Sequence, residues 1–142
     1  MARIPESLDP AEAAPLMCAG VTTFNSLRRS GALAGDLVAV QGVGGLGHLG
    51  IQFAQKLGFR VAAVGRGPGN AELAKKLGAH LYTDSAASNA DAELQKLGGA
   101  RVILATAPSA KAMSSLIAAW DRTAPCSWWG RRQTRSRSRR SS

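Results

Sequence analysis

A chain of 142 residues, 45% of them apolar, has the length of one domain and the material for one core. No run approaches the roughly 18 consecutive apolar residues of a membrane span, and Met1-Ala2-Arg3-Ile4-Pro5-Glu6 opens no apolar signal-peptide core. No membrane partner is expected, and two cysteines as far apart as Cys18 and Cys126 fit a reducing, cytoplasmic setting. The net charge of +9 would suggest a polyanion partner, but residues 119–142 hold seven arginines against Asp121 and account for +6 of it. The remaining +3 is ordinary for a globular domain.

Asp9 is placed to cap a helix whose first residue is Pro10, and helical periodicity runs through Ala13, Ala14, Leu16 and Met17. It resumes from Val21 through Phe24 to Leu27, and Gly31 and Gly35-Asp36 mark a turn. A first strand is predicted over Leu37–Val40, leading into Gly42-x-Gly44-x-x-Gly47 and a helical stretch over Ile51–Leu57. Gly58 ends that helix. A second strand is predicted over Arg60–Val64, a loop over 65–70, and a helix over Ala71–Leu77 stopped by Gly78. A third strand is predicted over Ala79–Tyr82, a helix over Asn89–Leu97, a fourth strand over Arg101–Thr106, and a helix from Ser109 to about Ala118. Strands alternating with helices predict an α/β fold with a doubly wound parallel sheet of the Rossmann type. Right-handed crossovers then give strand order 3-2-1-4, with a ligand crevice over the strand C-termini between strands 1 and 4.

The glycine turn carries the chemistry. Strand, GxGxxG and helix in that order is the context a dinucleotide fingerprint requires, although the tripled glycine alone is a weak signal. Gly42 permits the tight turn, Gly44 lets backbone approach a pyrophosphate, and Gly47 lets helix pack on strand. The backbone amides near Gly45 and Leu46 would then meet the phosphates at the positive end of the helix dipole. At the end of strand 2 an acid would bind the ribose 2′-hydroxyl of NAD, whereas an Arg accommodates the 2′-phosphate of NADP. That position is Gly65, followed by Arg66, and no carboxylate lies between Val61 and Asn70. NADP is the expected cofactor and NAD the alternative, Arg66 being otherwise a solvated loop charge. His48, at the start of the fingerprint helix, and His80, beside strand 3, lack spaced ligand partners and are expected to be structural or exposed.

Four segments together resemble the medium-chain, zinc-type alcohol dehydrogenases over about Ala2 to Ala118. They are Arg3-Ile4-Pro5-Glu6, the string from Ala14 to Thr22, the Gly42–His48 turn, and Leu73-Ala74-Lys75-Lys76-Leu77-Gly78-Ala79. The resemblance implies hydride transfer between an alcohol or aldehyde and a nicotinamide dinucleotide. It implies that Cys18 is one of three protein ligands to a catalytic zinc, and that Thr22, Ala105, Thr106 and Ala107 lie against the nicotinamide ring. It also implies a homo-oligomeric complete enzyme.

The same resemblance implies that the family's N-terminal catalytic domain is missing, so residues 1–118 form an incomplete dinucleotide-binding domain with no complete catalytic set. Residues 119–142 do not match the fifth strand expected there. Read one base out of step, codons compatible with 121–130 permit that strand, so a frameshift near Ala118 or Ala119 is expected, with a disordered basic tail after it. Strand 4 would then have an unpaired edge and the fold would be marginal. The isolated chain is expected to be inactive. The alternative function is non-specific nucleic-acid binding through the Arg/Ser run 135–142.

Overall fold

A computed structural model describes residues 3–121. Its centre is β1 (Leu37–Gln41), whose five residues are all buried because helices cover both faces of the sheet around it. β2 (Arg60–Gly65) and β4 (Val102–Ala105) flank it, and β3 (Leu81–Asp84) lies outside β2. All pairs are parallel and the order is β3-β2-β1-β4, as the alternation predicts.

Residues alternate between two cores. Val38 and Val40 of β1 and Val61 and Ala63 of β2 pack with Ile51 and Ala54 of α3 (Gly45–Lys56), Leu27 of α2 (Ala19–Arg28) and Ala74 of α4 (Ala71–Lys76). Leu37, Ala39, Ala62 and Val64 face the other way, onto Leu94 of α5 (Ala90–Lys96) and Leu116 of α6 (Ala110–Leu116). Complete burial of a side chain such as Ile51 contributes about 1.5–3 kcal/mol. The first helix, α1 (Pro10–Ala13), starts at the cap read from the sequence, with Ala11 N–H donating to Asp9 Oδ1 at 2.7 Å. A 3-10 turn, Ala14–Met17, joins it to α2.

Several element boundaries differ from expectation by one or two residues, and packing shows how the helix and strand ends are set. α3 begins at Gly45, where the amides near Gly45 and Leu46 are expected to open the fingerprint helix, although glycine is a poor helix former. Tertiary packing decides it. A Cβ on Gly47 would overlap the Gly42 carbonyl, and one on Gly50 would come within 2.6 Å of Leu104 Cδ2, so both glycines sit where helix and sheet touch. β3 starts at Leu81, not Ala79, because the turn that closes α4 runs through Gly78 and Ala79. Gly78 turns left-handed at φ +107° and Ala79 N–H returns to Ala74 C=O, which places Ala79 in the core before pairing begins at Leu81 and Ala62. β2 includes Gly65, which pairs with Asp84.

After α6 the chain makes a 3-10 turn, Ile117–Ala119, and comes alongside the foot of β4. Ala100 N–H donates to Ala119 C=O, Asp121 N–H donates to Ala100 C=O, and Ala100 and Trp120 form a parallel bridge. Ala119 is fully buried, so the packed region includes residues on both sides of the 118/119 boundary read from composition. The Arg/Ser run, Cys126, Trp128, Trp129 and most of the segment read as out of frame lie outside the described residues.

Candidate functional site

The sequence dictates a tight reversal after β1, and the structure shows how it is held. Gly42 has φ +89°, a left-handed conformation that L side chains rarely adopt, and its N–H donates to Val64 C=O of β2. Thr106, just beyond β4, donates its N–H to Gln41 C=O at 3.0 Å and its Oγ1 hydroxyl to the same oxygen at 2.7 Å. A Cβ on Gly42 would meet Thr106 Oγ1 at 3.0 Å and Ala107 N at 3.3 Å. The ends of β1 and β4 are thus brought together with little space between them, and Thr106 spends its hydroxyl on this junction. Ala105 is exposed and Ala107 half-buried beside it.

Past the turn the space opens. Gly44 caps α3 without a side chain, and neither Gly44 nor Gly45 has an atom within 4 Å of an added Cβ. The first bond inside the helix is His48 N–H to Gly44 C=O at 2.9 Å. The amides of Gly45, Leu46 and Gly47 therefore have no carbonyl within α3 to donate to. Leu46 is 40% exposed, and the His48 ring turns back onto the first-turn carbonyls, Nδ1 lying 2.8 Å from Gly45 O. Below the turn Gln41 is 4% exposed and its Oε1 has no partner among the described residues. An open glycine cradle, free first-turn amides and a strand-order reversal between β1 and β4 fit a dinucleotide pyrophosphate.

α2 covers one side of this crevice, packed on α3 and β4. Phe24 and Phe53 meet edge to face at 5.7 Å, and Thr23 is buried with its hydroxyl donating to Ala19 C=O. Thr22, the neighbouring residue, is half-buried, and Cys18 is an exposed free thiol at the N-cap of the helix. Among the described residues no group of three or more His, Cys, Asp or Glu side chains converges. Those residues do not by themselves fit a catalytic zinc.

The loop after β2 contains groups that reading the sequence did not connect with it. Gly65 is buried and Arg66 exposed, with no ion pair to Arg66 among the described residues. Asp84, from the end of β3, accepts hydrogen bonds from Gly67 N–H at 2.7 Å and Ala86 N–H at 2.8 Å. The Ala86 amide first, then that of Gly67, holds its carboxyl below the usual aspartate value. Tyr82 Oη donates to Gly67 C=O, and Ser85 donates both its N–H and its hydroxyl to Gly65 C=O. Burial first, then the Asp84 charge, raises the Tyr82 phenol above its ordinary value. A carboxylate is therefore present at this loop, though not from its own stretch of sequence. No spacing rule finds it, because Gly67 and Asp84 meet only through the register of β2 and β3. His80 serves structure, its Nδ1 accepting Val61 N–H at 3.0 Å.

Comparison with known proteins agrees with this arrangement. Residues 45–131 match the model of the zinc-binding dehydrogenase family. The chain is 50% identical over 115 residues to alcohol dehydrogenase patD of Aspergillus clavatus, covering 81% of this chain and 30% of that protein. It is 41% identical over 125 residues to an alcohol dehydrogenase of Geobacillus stearothermophilus, covering 87% of this chain and 37% of the relative. Among solved structures, the quinone oxidoreductase of Thermus thermophilus, determined also as its NADPH complex, superposes with TM-score 0.70 at 30% identity. That match covers 81% of this chain and 38% of the other. The chain spans about a third of the length of these relatives. On the match across most of its residues, the chain belongs to the zinc-binding dehydrogenase family.

Proposed function

We propose that this chain is the cofactor-binding portion of an alcohol dehydrogenase that transfers hydride between an alcohol or aldehyde and NADP, with NAD as the alternative cofactor. The observation that carries the reading is the open cradle at Gly44 and Gly45, set at the β1/β4 switch point where α3 starts. Bound there, the nicotinamide would supply the hydride acceptor or donor. The chain's own part is to bind and orient. The amides of Gly45, Leu46 and Gly47 would take the pyrophosphate, helped by the α3 dipole, and Arg66 would take a 2′-phosphate. Thr22 on α2 and residues 105–107 after β4 would lie along the nicotinamide end, with Thr106 holding β4 to the turn. Cys18 is offered as one zinc ligand of the complete enzyme, whose other ligands would come from outside the described residues.

The unit tested is the whole 142-residue chain. Titration with NADPH and NADH, followed by dihydronicotinamide fluorescence, should give saturable binding with NADPH the tighter. Absence of saturable binding by either nucleotide would sink the proposal. The chain alone should show no alcohol-dependent NADP reduction with or without added zinc. The charge concentrated in 119–142 supports a second, separable property, non-specific polyanion binding. Truncation after Asp121, which keeps the Trp120 bridge, should abolish polyanion binding and leave NADPH binding intact.

A further inference from the structure

Gly65 is a glycine for an unusual reason. It lies within β2 and is not among the residues with positive φ, so its backbone conformation does not require glycine. Space does. A Cβ added at Gly65 would overlap Tyr82 Oη and lie 2.9 Å from Cζ and 3.0 Å from Cε2 of the same ring. A single flexible atom could move aside, but this ring is held at both ends. Its body packs against the core shared by Val61, Ala63 and Ala74, and its hydroxyl is bonded to Gly67 C=O. The backbone around it is also committed, with Gly67 N–H bonded to Asp84 and Gly65 C=O receiving two bonds from Ser85.

We infer that Tyr82 is a specificity-determining residue, which bars from position 65 the side chain that NAD recognition would use there. The inference rests on the dinucleotide-binding reading above. A ribose-binding carboxylate at the end of β2 must begin with a Cβ, and the Tyr82 ring takes that volume. With position 65 closed, Arg66 is the charged side chain the β2 loop offers, which suits a dinucleotide bearing a 2′-phosphate. Asp84 is engaged with the backbone of this loop, its Oδ1 accepting both the Gly67 and the Ala86 amides.

The test compares NADPH and NADH binding by wild type, Gly65→Asp, Tyr82→Val and the double variant, all as the full chain. Gly65→Asp alone should weaken NADPH and gain no NADH affinity. Adding Tyr82→Val should raise the NADH-to-NADPH affinity ratio about tenfold over Gly65→Asp. A Gly65→Asp variant that gains NADH as fully as the double would overturn the inference and leave the dinucleotide site standing. So would a wild type that prefers NADH. Failure of the wild type to bind either nucleotide would overturn both.

A second measurement needs no ligand and guards against loss of folding. Gly65→Ala should lower Tm in the presence of Tyr82, and at least half of that loss should vanish in the Tyr82→Val background. Strictly additive Tm changes would mean that the two positions do not compete for space, and the inference falls.

Discussion

The turn after β1 and the loop after β2 are both rich in glycine, and Gly44 and Gly45 of the first answer a need opposite to that of Gly65 in the second. At Gly44 and Gly45 an added Cβ would touch nothing, so a side chain is absent from space that is empty. At Gly65 an added Cβ would run into Tyr82, so a side chain is absent from space already filled. Gly42 and Gly47 combine with the first pair, one supplying the left-handed turn and the other letting α3 rest on the turn's carbonyl. Gly44 and Gly45 leave open space beside the first turn, whereas Gly65 leaves room for the Tyr82 ring, although Gly67 and Gly69 of the second loop are open as well. Glycine content alone cannot separate the two, yet they predict different responses to the same kind of mutation.

The largest break in this comparison is expected at Gly47. Gly47→Val would drive a side chain into the Gly42 carbonyl and should cost about 3 kcal/mol in urea unfolding, with nucleotide binding lost alongside. Gly44→Val should separate binding from folding. Its backbone lies at φ −95°, ψ −156°, which any residue adopts, so stability should change by less than about 0.5 kcal/mol. NADPH affinity should nevertheless fall at least about tenfold, since the new side chain fills the cradle. Equal losses of stability and affinity would mean that the cradle is structural.

At the second loop, Tyr82→Phe keeps the ring and removes one hydrogen bond to Gly67, so a loss of about 1 kcal/mol is expected in the same unfolding experiment. The smallest effect is expected from Asp84. Its folded-state pKa is lowered by the Ala86 and Gly67 amides, so its contribution is complete above the unfolded aspartate value. That contribution fades as pH falls through the lower folded value. Wild type should therefore lose Tm on acidification below about pH 4 more steeply than Asp84→Asn. Parallel Tm–pH curves would show that the carboxylate does not hold the loop.

Much of the architecture was legible locally. The alternation of apolar strands with helices, the Asp9-Pro10 helix start and the handedness of crossovers suffice for a parallel sheet of order 3-2-1-4. The start of α3 near Gly45 was legible from the fingerprint, and its glycine-rich first turn forms where Gly47 and Gly50 press on Gly42 and Leu104. A boundary was misplaced where a local preference met a tertiary contact. Ala79 reads as strand, but the Gly78 closure draws it into the core.

The site divides in the same way. The turn proposed to cradle a pyrophosphate was visible as spacing, because strand, glycine turn and helix follow one another along the chain. By itself the sequence determined the fingerprint, the switch point at which a dinucleotide would lie, and the want of an acid among residues 61–70. Only the tertiary structure decided why position 65 has no side chain and which carboxylate reaches the loop. Tyr82, Asp84 and Ser85 come to Gly65 and Gly67 through parallel strand register. That register follows from how α4 ends and how β3 packs. Residues so joined share volume without sharing any local pattern, which is why occupancy at the end of β2 had to be seen in three dimensions.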